Sequence, residues 1–246
     1  MAIRRPDHVN VVYRQTACVA EPVRPYHHRL SQRVCYHSLH GIDAAFAFPL
    51  SPQNRSRLPQ ALLRATPKRQ REFLAGRWCA EEALRCLGAG STHVAMAANR
   101  APIWPAGVVG SITHGGDFAA AAVAWAKDIA GLGIDSEQII DPAAARDIAD
   151  ICMVDESMLF KATDGRSFCE FCTFVFSAKE AVFKCLFPLT QKFLEFSDVR
   201  IASLDWNRRV FAWTTVSGHF GMGRLSHADG FVHTSVELSS LSKSAE

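Results

Sequence analysis

No stretch of the 246-residue sequence stays apolar for the ~20 residues that a membrane-spanning helix needs. The chain is therefore expected to have no membrane partner. Its first residues, MAIRRPDHVNVVYRQ, lack the apolar core of a secretory signal. They are Arg-rich and acid-poor but carry no amphipathic helix, so they read as part of the folded protein rather than an organelle-targeting segment. The eight cysteines have no repeating spacing. Their one Cys-x-x-Cys pair, Cys169 and Cys172, has no second pair to complete a zinc site, which leaves two thiols packed in a Phe-rich segment and a reducing, cytoplasmic setting. None of the ten histidines falls in a His-Glu-x-x-His spacing. His27, His28, His37 and His40 read as surface residues. Charge is also scarce, at 21% of residues with a formal net charge of +3. That is too mild to indicate nucleic acid, although KRQR at 68–71 forms a local basic run suited to a phosphate-rich ligand or an acidic protein partner.

What the sequence has is core. Hydrophobic residues make up 48% of it, including 16 Phe and 5 Trp, enough for one large domain or two small ones. Up to about residue 60, Pro22, Pro25, Pro49 and Pro52 break any long element, and only VNVVY and AAFAF read as short strands. Thr66 followed by Pro67 then predicts a capped helix start and Gly88 a stop, giving a helix over 67–87 with Phe73, Ala80, Leu84 and Leu87 on its apolar side. Arg77 falls on that same side. VVGSITH, FAAAAVAW and IAGLGIDSE, separated by turn residues, predict a three-stranded meander. Asp141-Pro142 predicts helical segments over 141–170, and a further helix carries FSAKEAVFKC until Phe187-Pro188 ends it. DVRIASL, VFAWTTV and FVHTSVEL predict three more strands, and SSLSKSAE a frayed tail. The pattern is α+β, with a long helix and a small antiparallel sheet in each half.

Three features carry chemistry. In GLGIDSE the period of two puts Asp135 and Glu137 on one face and Leu132, Ile134 and Ser136 on the other. Two carboxylates on one face repel unless a cation sits between them, and an oxygen-only pair suits Mg²⁺. A solvated strand end satisfies the same pattern. Glu180 lies in the middle of an apolar stripe, Phe176, Phe183 and Phe187, where a carboxylate is costly unless paired, protonated or metal-bound. Lys184, four residues on, shares its face, as an ordinary surface Glu–Lys helix pair also would. Thr113, His114 and the glycines of SITHGG, with Arg100 ahead of APIWP, supply donors suited to phosphate. Acidic metal ligands beside phosphate-binding groups indicate pyrophosphate chemistry.

FLAGR (73–77), RAPIWP (100–105), GSITH (110–114), GIDSE (133–137) and FSAKEAVFK (176–184), in this order, resemble the motif series of the 4′-phosphopantetheinyl transferases. The likeness is to the enterobactin-synthetase and surfactin-synthetase type and covers roughly residues 66–200. It implies two pseudo-twofold-related α+β halves, here 1–128 and 129–246, with coenzyme A in the cleft between them. It also implies transfer of phosphopantetheine from coenzyme A to a serine of an apo acyl or peptidyl carrier protein, releasing 3′,5′-ADP. By the same resemblance Asp135, Glu137 and Glu180 are the Mg²⁺ ligands, and Glu180 and Lys184 are the catalytic pair. Arg77, Arg100, Thr113, His114, Asp135 and Lys184 bind the co-substrate. Thr113 stands where the family more often has serine and keeps the hydroxyl. Ser136 stands where it usually has an aliphatic residue, which is expected to loosen packing behind the strand. Two halves in one chain can build that cleft without a second subunit, so a monomer is the expectation. A Mg²⁺-dependent phosphohydrolase or nuclease using the same carboxylates is the competing reading, and a non-catalytic coenzyme A or carrier-binding protein a third.

Overall fold

The computed structural model describes residues 28–162 and 165–240. The predicted VNVVY strand, His27, and the end of the tail lie outside these residues. The described chain divides into two units, one of residues 34–125 and one of residues 28–33 with 126–240.

The first unit opens with β1 (Val34–His40), followed by the short helices α1 (Ile42–Ala45) and α2 (Pro52–Ser56). Its main helix is α3 (Pro67–Leu87). Thr66 accepts from the Arg69 amide at the start, Pro67 occupies the first turn, and Gly88 closes the end in the left-handed region at φ 74°. The two-residue strands β2 (Ala95–Met96) and β3 (Pro102–Ile103) pair with each other. β4 (Val108–Gly115) and β5 (Phe118–Trp125) join β1 in an antiparallel sheet of order β1-β5-β4, on which α3 packs. Leu74, Ala75, Cys79, Ala80, Ala83 and Leu84 are buried against the alanine-rich β5. Small side chains on both surfaces allow this close helix–sheet approach.

The second unit contains β6 (Ile129–Gln138), α4 (Pro142–Cys152), α5 (Phe168–Thr190), β7 (Val199–Asp205), β8 (Val210–Thr215), β9 (Phe220–Ala228) and β10 (Phe231–Ser239). Its sheet is antiparallel, of order β6-β10-β9-β8-β7, with β6 at its end among the described residues. α5 lies across β6 and β10. Its start is fixed by a reciprocal cap in which the Ser167 hydroxyl accepts from the Glu170 amide while the Glu170 carboxylate accepts from the Ser167 amide.

Several sequence expectations are corrected here. β6 does not continue the β4–β5 hairpin as a meander; it belongs to the second sheet. AAFAF begins in α1 rather than in a strand. α5 runs two residues past Pro188, which forfeits the bond to the Lys184 carbonyl without stopping the helix, and Gln191 at φ 55° ends it. Strand β9 was hidden by its glycines, which strand propensity disfavours; Gly223 is required because a Cβ there would collide with the Phe211 ring. β1, with its two histidines, also escaped the alternation pattern. His28 and His37 are buried, at 2% and 3% exposure, rather than on the surface. The buried row of α5 is Phe171, Phe174, Val175, Ala178, Ala181, Val182 and Cys185. Phe176, Phe183 and Phe187 are only partly buried and touch other rings at the border, so Glu180 interrupts the rim of the core and not the core.

Candidate functional site

In the second unit, the alternation of β6 turns Gly133 and Asp135 toward α5, in a strand whose partner across the ladder sets Thr234 opposite Asp135. Gly133 has no side chain to hold the helix away: a Cβ there would meet the Ala181 carbonyl and stand 2.7 Å from the Cys185 amide nitrogen. The helix therefore lies directly on the strand, and Lys184 Nζ reaches Asp135 Oδ1 at 2.5 Å. Asp135 is 2% exposed, whereas Lys184 and Glu180 are partly buried. On the same helix face as the strand contact, the Ser177 hydroxyl meets Thr234 Oγ1 at 2.9 Å.

The electrostatics tie four groups together. Burial works against the Lys184 charge, but Asp135, then Glu180, then Glu137 outweigh it and hold the ammonium above the usual lysine range. Burial pushes the Glu180 carboxyl upward; Lys184 pulls it back and Asp135 pushes it up again. Three carboxylates thus act on one ammonium, and the ionised set carries a formal excess of two negative charges. Among the described residues no three His, Cys, Asp or Glu side chains are gathered closely enough to form a ready metal cage. The donor chemistry nevertheless fits Mg²⁺, which takes oxygen ligands, balances that charge, and is usually held by only one or two protein carboxylates plus water and substrate phosphate.

Directly before Glu180, Lys179 has a different environment. Its ammonium is buried, pairs with Glu156 at 2.8 Å, and donates to the carbonyls of Cys152 and Phe196. Glu156 also accepts from the amides of Val154 and Ile201. Burial would raise the Glu156 carboxyl, but these donors hold it below the usual carboxylate range. This pair ties α5 to the segments on either side of it.

In the first unit the sequence-selected residues divide. His114 on β4 receives a hydrogen bond at its Nε2 from Arg69 Nη1 at 2.7 Å; since a guanidinium only donates, the ring proton is assigned to Nδ1. That nitrogen faces the Glu72 carboxylate at 3.8 Å. Arg69 and Glu72 were not singled out as individual ligands, although Arg69 lies in the basic run KRQR. Thr113 is buried at 1% exposure. Arg100 sits on an exposed turn between β2 and β3 at φ 69°. Arg77 is 9% exposed, stacks its guanidinium 4.7 Å from the Phe73 ring centroid, and donates to the Ala95 carbonyl at 3.3 Å. Burial, and then Arg69, push its pKa down to about 10.

No helix of the described residues is long and apolar enough to cross a membrane. Their seven cysteines are all free thiols.

Comparison with known families matches residues 58–124 to the 4′-phosphopantetheinyl transferase N-terminal domain and residues 131–231 to the 4′-phosphopantetheinyl transferase superfamily. The chain is 41% identical over 140 residues to the 4′-phosphopantetheinyl transferase Svp of Streptomyces mobaraensis, covering 56% of each protein. It is 29% identical over 184 residues to PptT of Mycobacterium tuberculosis, covering 72% of this chain and 80% of the relative. It is also 37% identical over 148 residues to enterobactin synthase component D of Escherichia coli, covering 60% of this chain and 68% of the relative. The matched part spans little more than half the length of the Streptomyces relative. With both of its units matched in chain order, the chain belongs to the 4′-phosphopantetheinyl transferase superfamily.

Proposed function

We propose that this protein transfers 4′-phosphopantetheine from coenzyme A to a serine hydroxyl of an apo acyl or peptidyl carrier protein, releasing 3′,5′-ADP. The observation that carries the reading is the Asp135–Lys184 pair flanked by Glu180 and Glu137, inside the segment matched to the superfamily. Asp135, Glu137 and Glu180 are the residues that would hold Mg²⁺, which when bound neutralises the pyrophosphate oxygens.

In the reaction the serine oxygen forms a bond to the phosphorus bearing the pantetheine arm, and the bond from that phosphorus to the nucleotide phosphate oxygen breaks. Glu180 takes the serine proton, directly or through a water. A carboxylate in hydrogen-bond reach of the hydroxyl is suited to that transfer. Lys184 stays protonated across the physiological range and is available to the charge on the departing 3′,5′-ADP. No covalent intermediate is required, and positioning with electrostatics supplies the rate, as in other phosphoryl transfers.

His114, with Arg69 behind its ring, together with Thr113 and Arg100, is assigned to coenzyme A phosphates. For Arg77, stacking on Phe73 and the bond to Ala95 support a brace within the first unit rather than a direct ligand. Chromatography of the nucleotide products tests the reading: 3′,5′-ADP is expected only when an apo carrier protein is present. Carrier-independent release of nucleotide or phosphate would replace this reading with a hydrolase.

A further inference from the structure

Ser136 was expected to weaken packing behind the carboxylate strand, but it is fully buried and hydrogen-bonded. On the face of the second sheet away from α5, its hydroxyl lies 2.9 Å from Nδ1 of His233, its partner across the β6–β10 ladder. It also lies 3.2 Å from Nε2 of His28. The same His28 nitrogen stands 2.9 Å from the main-chain oxygen of Asp135. A carbonyl only accepts, so His28 carries its proton on Nε2 and donates it there, with Ser136 Oγ as a second acceptor. The Ser136 hydroxyl and His233 Nδ1 share a further hydrogen bond, whose direction is set by the His233 tautomer. The two imidazoles meet edge to face with centroids 5.2 Å apart, and His233 stacks on Phe231 at 5.9 Å. His28 and His233 are 2% and 1% exposed.

The segment that brings His28 here is itself tied down. The Ser31 amide donates to Glu237 at 2.8 Å and the Ser235 hydroxyl to the Arg29 carbonyl at 3.2 Å. Residues 28–31 therefore form a strap across the back of β6 and β10, reaching over more than a hundred residues of sequence. Among the described residues β10 is the ladder neighbour of β6, and His28 reaches the Asp135 carbonyl as well. α5 presses on one face through Gly133; the strap closes the other.

We propose that His28 is a positioning residue for the Asp135 and Glu137 carboxylates: with Ser136 and His233 it clamps β6 at the carbonyl of Asp135 and fixes the angle at which the carboxylates meet a divalent cation. The inference rests on the assignment of those carboxylates as metal ligands. Hydrogen-bonded groups one step behind a ligand typically change metal affinity by about 10–100-fold when removed.

The test titrates the full chain with Mn²⁺, with and without coenzyme A, reading free Mn²⁺ by electron paramagnetic resonance. His28→Phe is expected to weaken Mn²⁺ binding about 10-fold, the low end of that range, while leaving the KM for carrier protein unchanged. His28→Gln places an amide donor near the position of Nε2 and is expected to restore most of the affinity. Ser136→Ala, which breaks the relay but keeps His28, should weaken binding less than His28→Phe; it also serves if the phenylalanine variant does not fold. Variants with lowered melting temperature but Mn²⁺ affinity equal to the unmodified protein would overturn the clamp and leave a purely structural cluster. Absence of Mn²⁺ binding in the unmodified protein would instead overturn the ligand assignment on which it rests.

Discussion

Replacing Gly133 with alanine tests whether the missing side chain sets the distance between β6 and α5. The added methyl would meet the Ala181 carbonyl and lie 2.7 Å from the Cys185 amide nitrogen, well inside the ~3.5 Å of a relaxed contact. Both obstacles are helix main chain, which cannot rotate aside, so α5 must move. Gly131 provides the control on the same strand face: there a Cβ meets the Cys185 carbonyl oxygen, Cys185 Sγ and Leu189 Cδ1 at 3.0 Å each, so the approach is less close and two of the three atoms are side-chain ends. Overpacking costs about 1–3 kcal/mol, against which Gly→Ala returns about 0.4–1 kcal/mol by restricting the unfolded chain. Gly133→Ala is placed at the upper end, a net loss of about 2 kcal/mol, and Gly131→Ala near zero to about 1 kcal/mol. With a urea slope of about 1–3 kcal/mol per molar, the Gly133→Ala midpoint should fall by about 0.7–2 M. Moving α5 also moves Glu180 and Lys184 away from Asp135. Misplacements of about 1 Å can cost about 100-fold in rate, so transfer should fall by that order even where the protein is fully folded. Equal urea midpoints and equal activity for the two alanine variants would refute the spacing argument.

Glu180→Gln removes the base while keeping shape; transfer should vanish with the unfolding midpoint preserved, and full activity by intact mass would contradict the assignment. Glu156→Gln leaves the buried Lys179 ammonium without its partner and should cost about 3–5 kcal/mol in urea unfolding. Because the folded-state Glu156 pKa is depressed, its contribution is present above the unfolded value of about 4.3 and is lost as pH falls through the folded value. Below about pH 4 the unmodified protein should therefore lose stability more steeply than Glu156→Gln, whereas parallel melting profiles would contradict the linkage. Arg77→Met should lower stability by about 1–2 kcal/mol through the lost stacking and hydrogen bond, with little change in the KM for coenzyme A. A large rise in that KM at unchanged stability would make Arg77 a ligand instead.

The parts legible in the sequence were those whose cause is local. Thr66, Pro67 and Gly88 bound α3 because capping chemistry acts within a few residues, and the strand period put Asp135 and Glu137 on a common face before any partner was known. The Lys184–Asp135 pair was beyond reach of spacing, since it depends on how closely a helix 49 residues away settles on Gly133. β9 was lost for a similar reason: Gly223 looks like a strand breaker until the Phe211 ring is seen against it. The Phe stripe of α5 misled because hydrophobicity alone does not separate the core row from its rim. Ser136 and His28, read singly as a loosened position and a surface histidine, make sense only together, and the register that joins them is not local.

The most direct test is the intact mass of an apo carrier protein after incubation with this protein, coenzyme A and Mg²⁺, with and without EDTA. A gain of one phosphopantetheine that EDTA abolishes is the predicted result. No gain across apo acyl and peptidyl carrier proteins would contradict the transferase account.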